Sequence, residues 1–163
     1  MIKKGKIRIL FICLGNICRS PAANGVMQKL VDDRQMAHRF YIDSAGIGNW
    51  HVGSLPDVRM RRHGKVRGYD FSHRARQFDA ANDFDEFDMI ITMDEENYQD
   101  IMRMAPDDDA RKRVVRMSKY LKLYPQATSV PDPYYGGARD FELALDLIED
   151  GCKNLLRELI CIN

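Results

Sequence analysis

The sequence predicts one α/β domain, built on a four-stranded parallel sheet with helices on both faces. Three observations lead there. At 163 residues the chain can hold one hydrophobic core but not two. Strand-like stretches recur along it, separated by longer stretches with helical spacing. The first of them is an unbroken apolar run, as expected of a strand buried on both faces.

Taken in order, Ile7 to Cys13 is the first strand. Ser20 followed by Pro21 reads as an N-cap and first helical residue, and the helix continues with Val26, Met27 and Leu30 as its apolar stripe. Phe40 to Ala45 reads as the second strand, stopping at Gly46, and Pro56-Asp57 opens a helix running through Met60 and Arg62 towards Gly68. Phe87 to Met93 is a third strand, followed by a helix from Asp94 or Glu95 to Met104, and Arg113 to Met117 is a shorter fourth strand. An irregular stretch containing Pro125, Pro131 and Pro133 ends at Gly136-Gly137, and an amphipathic helix from Asp140 to Leu159 closes the chain. Folds of this kind bind ligands beyond the carboxyl ends of the strands.

Composition excludes several classes of function. A net charge of +1 lacks the basic excess of a nucleic-acid binder, so no nucleic-acid partner is expected. No apolar run approaches a membrane span, so no membrane partner is expected either. The start, Met1 to Lys6, is basic like that of a signal peptide, but the next run contains Arg8 and no small-residue cleavage site. The expectation is a mature chain beginning at Met1 and staying in the cytoplasm. The four cysteines, Cys13, Cys18, Cys152 and Cys161, match no zinc spacing and do not suggest a disulfide framework. Cys152 is in phase with Phe141, Leu145, Ile148, Leu155 and Leu159 and reads as core packing, while Cys161 faces the other way. The basic cluster Arg59, Arg61, Arg62, Lys65 and Arg67 and the acidic run Asp107 to Asp109 read as solvated surface.

The segment that carries chemistry is Cys13-Leu14-Gly15-Asn16-Ile17-Cys18-Arg19-Ser20-Pro21, where the first strand hands over to the first helix. Backbone N–H groups at a helix N-terminus are unpaired and point outward, so such a turn suits a tetrahedral oxyanion. Gly15 and Asn16 tolerate left-handed backbone angles, which lets successive N–H groups converge. Arg19 adds a planar fork able to hold two phosphate oxygens, a geometry lysine does not offer. Cys13 stands at the start of this phosphate-binding loop, facing the position of a bound phosphorus. Thiols at helix N-termini near cations ionise more readily than free ones, so one local structure both binds and attacks. A Walker-type loop is excluded, because no Gly-Lys-Ser/Thr follows. Asp132, between Pro131 and Pro133, reads from composition equally as a turn aspartate or as an acid above the strand ends. Trp50, Tyr134 and Tyr135 are aromatic residues outside the core pattern.

Cys-Leu-Gly-Asn-Ile-Cys-Arg-Ser-Pro resembles the signature of the low-molecular-weight protein tyrosine phosphatases. The similarity continues through Asp43-Ser44-Ala45-Gly46, Trp50, Asp57-Val58-Arg59, Ser72 to Gln77, Phe87 to Asp94 and Asp132-Pro133-Tyr134-Tyr135-Gly136, nearly the whole chain. The resemblance implies a flavodoxin-like fold and hydrolysis of phosphotyrosine through a phosphocysteine intermediate. Cys13 would be nucleophile, Arg19 phosphate clamp and Asp132 general acid and then base. Leu14, Gly15, Asn16, Ile17, Cys18 and Ser20 would complete the phosphate site, with Ser44 and His73 as its supporting network. Trp50, Tyr134 and Tyr135 would wall a slot for the substrate ring, and Asp94 would orient the loop tyrosines. Oxidation would join Cys18 to Cys13 in a protective disulfide.

No metal or cofactor is expected, because Arg19, the N–H nest and the helix dipole already neutralise phosphate. The implied partner is a phosphotyrosine-containing protein, a tyrosine kinase being one such protein. Asn24 and Arg67-Gly68 depart from the family pattern, and this bears on partner choice rather than on the reaction. Three other readings stand beside this one. An arsenate reductase would need a relay of further cysteines. A protein-arginine phosphatase would by resemblance carry threonine at Ile17. A non-catalytic binding module would have lost Cys13, Arg19 or Asp132.

Overall fold

Strand β1, Ile7–Cys13, is apolar on both faces because both faces are covered. Ile9 and Phe11 point into one cluster, Leu10 and Ile12 into another, and all four are fully buried. Each such side chain contributes about 1.5–3 kcal/mol by leaving water. The computed structural model describes residues 5–161, so Met1 to Lys4 of the basic start lie outside the described residues.

β1 pairs in parallel with β2, Phe40–Gly46, and with β3, Met89–Thr92; β3 pairs in parallel with β4, Val114–Arg116. The sheet order is β2-β1-β3-β4. Helices α1, Arg19–Asp33, and α6, Ala138–Cys161, cover one face through Val26, Met27, Phe141, Leu145 and Leu155. The other face is covered by α3, Asp83–Glu86, α4, Glu95–Met104, and α5, Asp108–Lys112, through Phe84, Ile101 and Ala110. Helix α2, Val58–Val66, packs against α6. The expected α/β architecture is therefore present. Among the described residues no helix is long and apolar enough to cross a membrane.

Two local readings change and one gains detail. The acidic run Asp107 to Asp109 is exposed as expected, but its first residue also has a structural role: Asp107 caps α5 by accepting from Ala110 N–H at 2.8 Å. Sequence reading also misses α3 and α5, because their four and five residues are too short to show a helical period. The second correction is that Ser20 is not the N-cap of α1. The helix starts at Arg19 with Cys18 as N-cap, and Pro21 sits in the first turn, where its missing N–H has no intrahelical partner to serve.

Order and direction together place the site. The chain leaves β1 towards β2 on one side and later reaches β3 on the other. The loops after β1 and β3 therefore part, leaving a crevice at the carboxyl edge of the sheet. Cys13 ends β1 at that point.

Candidate active site

Helix α1 differs from its neighbours at its N-terminus. Asp57, Asp94 and Asp107 cap α2, α4 and α5 with their carboxylates. α1 has no side-chain cap and no acidic residue in its first turn. Its positive end is thus left for an external anion. The preceding loop follows the same logic. The carbonyls of Cys13, Leu14, Ile17 and Cys18 accept backbone hydrogen bonds from Ile47, Gly48, Asp57 and Ala22, which turns them away from the crevice. Asn16 alone in the loop adopts a left-handed angle, φ 58°. Gly15 does not, contrary to the sequence expectation; it is small for a steric reason. A Cβ there would lie 3.1 Å from His51 Cδ2. Gly46 is needed for closeness too, since a Cβ on it would meet loop backbone at 3.0 Å.

Asn16 is the hub beneath the loop, fully buried. Its Nδ2 donates to Ser20 Oγ at 2.8 Å and to Ser44 Oγ at 3.0 Å. Its Oδ1 accepts from Arg76 N–H and faces His73 Nε2, each at 3.0 Å. A carboxamide oxygen only accepts, so His73 carries its proton on Nε2. Ser20 Oγ, having accepted from Asn16, has one proton to give, and it faces Cys13 Sγ at 2.9 Å more closely than the Ala45 carbonyl at 3.4 Å. This chain brings Cys13, Asn16, Ser20, Ser44 and His73 into one network. Burial, with the Arg76 charge, lowers the His73 pKa despite the opposing pull of Asp43, so the ring favours its neutral form.

Arg19 is 2% exposed, an unusual place for a guanidinium. Its Nη1 donates to Asp94 Oδ2 at 2.6 Å and to the Val130 carbonyl at 3.0 Å. Its Nη2 lies 3.6 Å from Asp132 Oδ2, and its buried Nε has no protein partner. One nitrogen anchors the group, and the Nε–Nη2 edge is left as the two-pronged fork that suits an oxyanion. Burial works against the charge, but Cys13, Asp94 and Asp132 outweigh it and raise the Arg19 pKa. Asp94 therefore orients Arg19 while capping α4, and has no hydrogen bond to the loop tyrosines. The expectation about those tyrosines is corrected here. Asp132 is held instead by its own turn, its Oδ1 accepting from Tyr134 N–H at 3.1 Å.

These groups open into a cavity of about 300 Å³ lined by Cys13, Leu14, Gly15, Ile17, Cys18, Arg19, Trp50, His51, Asp132, Tyr134 and Tyr135. Trp50, Tyr134 and Tyr135 stand on its walls, the two tyrosines edge to face at 4.9 Å. Two neighbours escaped the sequence reading. His51 leans over Gly15 and tilts against Tyr134, 6.4 Å between ring centres. Arg59 pairs with Asp57, donates to the Tyr134 carbonyl at 3.0 Å and lies 5.5 Å from the Tyr134 ring, so it is not plain surface. The position of His51 directly after Trp50 was the only sequence signal for it. Burial above all, then the negative charges of Asp57 and Cys13, pushes the Cys18 thiol pKa up, so Cys18 stays protonated. Cys13 and Cys18 are both free thiols, and Cys152 and Cys161 do not line the cavity, so no cysteine relay leads out of it.

A nucleophilic sulfur, a buried guanidinium fork, an uncapped helix end and a carboxylic acid around one aromatic-walled cavity define a class: cysteine-dependent phosphoryl-transfer domains of the α/β type. The comparisons with known proteins are narrower. Residues 8–160 match the family model for low molecular weight phosphotyrosine protein phosphatase, and this chain belongs to that family. A Synechocystis protein assigned to the low molecular weight protein-tyrosine-phosphatases is 44% identical over 153 residues, covering 94% of this chain and 96% of its own. The crystal structure of an Entamoeba histolytica protein tyrosine phosphatase with Hepes in its active site superposes with a TM-score of 0.90 at 39% identity. It covers 94% of this chain and 97% of its own. YfkJ from Bacillus subtilis gives 0.90 at 35% identity, with 99% of each chain covered.

Proposed function

We propose that this chain hydrolyses phosphotyrosine in proteins, together with small aryl phosphates, through a phosphocysteine intermediate. The observation that carries the reading is the convergence of Cys13 Sγ, the free edge of Arg19 and the Asp132 carboxyl on one cavity. Three non-bridging oxygens of the phosphate are received by the loop N–H groups and by Arg19 Nε and Nη2. The Cys13 thiolate attacks phosphorus in line with the tyrosyl oxygen, forming the S–P bond as the P–O bond breaks. A phenol has a pKa of about 10, so its oxygen leaves far more easily when Asp132 delivers a proton to it. Asp132, now a carboxylate, takes a proton from water; the hydroxyl attacks phosphorus and the S–P bond breaks. Ser20 O–H, beside Cys13 Sγ, stabilises the sulfur anion at both ends of the cycle.

The aromatic walls support a flat substrate ring reaching down to the sulfur, a depth phosphoserine does not span. A catalytic thiolate requires a reducing compartment, which supports a cytoplasmic site of action. The partner is a phosphotyrosine protein, and a tyrosine kinase bearing its own phosphotyrosines fits that chemistry. Turnover of matched phosphotyrosine, phosphoserine and phosphoarginine peptides tests the reading. Hydrolysis of phosphotyrosine well above the other two is expected. A preference for phosphoarginine would overturn it.

A further inference from the structure

Helix α2 carries Arg59, Arg61, Arg62, His63 and Lys65 and no acidic residue. Its inner side is Met60 and Gly64, both buried. At helical spacing, Val58, Arg61, Arg62, Lys65 and Val66 share the outer side; Arg62 and Lys65 are exposed, Val58 is 47% exposed and Val66 87%. The other two arginines of this region are neutralised, Arg59 by Asp57 and Arg67 by Glu142, Asp146 and Glu149. Arg61 has only the Pro56 carbonyl, at 3.0 Å. Among the described residues no carboxylate pairs with Arg61, Arg62 or Lys65. Three unneutralised cations thus share one helix face in a chain of net charge +1.

The place of this face matters more than its charge. The N-terminus of α2 is fastened to the catalytic pocket, Asp57 N–H donating to the Ile17 carbonyl at 2.8 Å. Arg59, one residue into the helix, holds the Tyr134 carbonyl. Ile17 and Tyr134 both line the cavity. The stripe from Val58 to Lys65 therefore starts at the pocket mouth and runs outward for about 10 Å, the reach of about three residues of extended peptide.

We propose that the outer face of α2 is a docking surface for an acidic segment of the substrate protein flanking its phosphotyrosine. The proposal rests on the phosphatase reading and narrows its substrate class. Charge complementarity names the occupant, and continuity with the pocket fixes where it lies. A lipid surface is the poorer fit. Helices that lie on membranes present a broad apolar side, whereas Met60 of α2 faces the core and just two valines, Val58 and Val66, accompany the exposed cations. Cations beside a pocket act mainly on encounter, so the effect falls on kcat/KM more than on kcat.

The test compares wild type with the double variant Arg62→Glu, Lys65→Glu, neither residue being part of the pocket. Three substrates are used: an aryl phosphate, a phosphotyrosine peptide with Asp and Glu flanks, and the same peptide with Asn and Gln flanks. The aryl phosphate and the neutral peptide keep their kcat/KM, while the acidic peptide loses about tenfold on reversal of two surface charges. The wild-type preference for the acidic peptide fades as ionic strength rises. Equal handling of both peptides by wild type, or an acidic peptide indifferent to the double variant, overturns the docking surface and leaves the phosphatase reading intact. If wild type turns over none of the three, the phosphatase reading fails by itself. Anisotropy titration of the same labelled peptides then decides the docking surface, and equal affinity for both refutes it. Reversal that abolishes sedimentation with phosphatidylserine vesicles yet spares the acidic peptide also refutes it, in favour of a lipid.

Discussion

The floor and the rim of the pocket are built on opposite terms. On the floor, Asn16, Arg19 and Ser20 are 0%, 2% and 0% exposed, and each is tied to partners far along the chain. On the rim, Trp50 is 68% and Tyr135 95% exposed. The contrast teaches where variation is tolerated. The phosphate and its transition state are the same in every substrate, so the groups that meet them are held rigid before binding. The proteins that carry the phosphate differ, so the groups that meet those stay adaptable.

Five perturbations break or sharpen that contrast, from the largest effect to the smallest. Cys13→Ser should lower turnover of an aryl phosphate by more than about 10³-fold while phosphate still binds, as seen by calorimetry. Turnover at the wild-type rate would sink the mechanism. Asp132→Asn should cost about 10²–10⁴-fold in kcat, and the pH–rate profile should lose its basic limb, because no acid remains to deprotonate. Asn16→Ala removes the hub and leaves buried hydroxyls without partners, so urea unfolding should show a loss of about 2–4 kcal/mol together with reduced activity.

The fourth perturbation is pH. The folded His73 pKa lies below its unfolded value, so its contribution to stability is present above about pH 6.5 and is lost as pH falls through the folded pKa. The slope from this one group is at most about 1.4 kcal/mol per pH unit, and His73→Gln should remove it from the stability–pH curve. Last, Tyr135→Ala on the rim should change stability by less than about 0.5 kcal/mol and raise KM for peptides only a few-fold, with kcat unmoved. A large loss of stability there would mean that the rim is as tightly built as the floor.

What sequence revealed follows the same division. Strand β1 and the loop after it were legible because their signals are contiguous: an apolar run, then the loop residues, then an arginine and a proline within nine positions. Partners brought in from elsewhere were not. Asp94 meets Arg19 across 75 residues and Arg59 meets Tyr134 across 75 more, contacts that only the sheet order creates. Ser20 was misread because Ser-Pro is a good capping pair in isolation. Here the hydroxyl is taken by Cys13 and Asn16, and the helix begins two residues earlier, at Arg19. Resemblance supplied Ser44 and His73, whose spacing from the loop carries no signal of its own.

The carboxylate beside Arg19 bears on the end of the cycle rather than its beginning. Asp94 lies 2.6 Å from the guanidinium, so the buried cation is already balanced when an anion arrives, before Asp132 has given up its proton. An unbalanced guanidinium would grip inorganic phosphate as firmly as the ester that brought it, and the domain would stall on its own product. Balanced in this way, the floor holds a phosphoryl group well enough to transfer it and loosely enough to let it go.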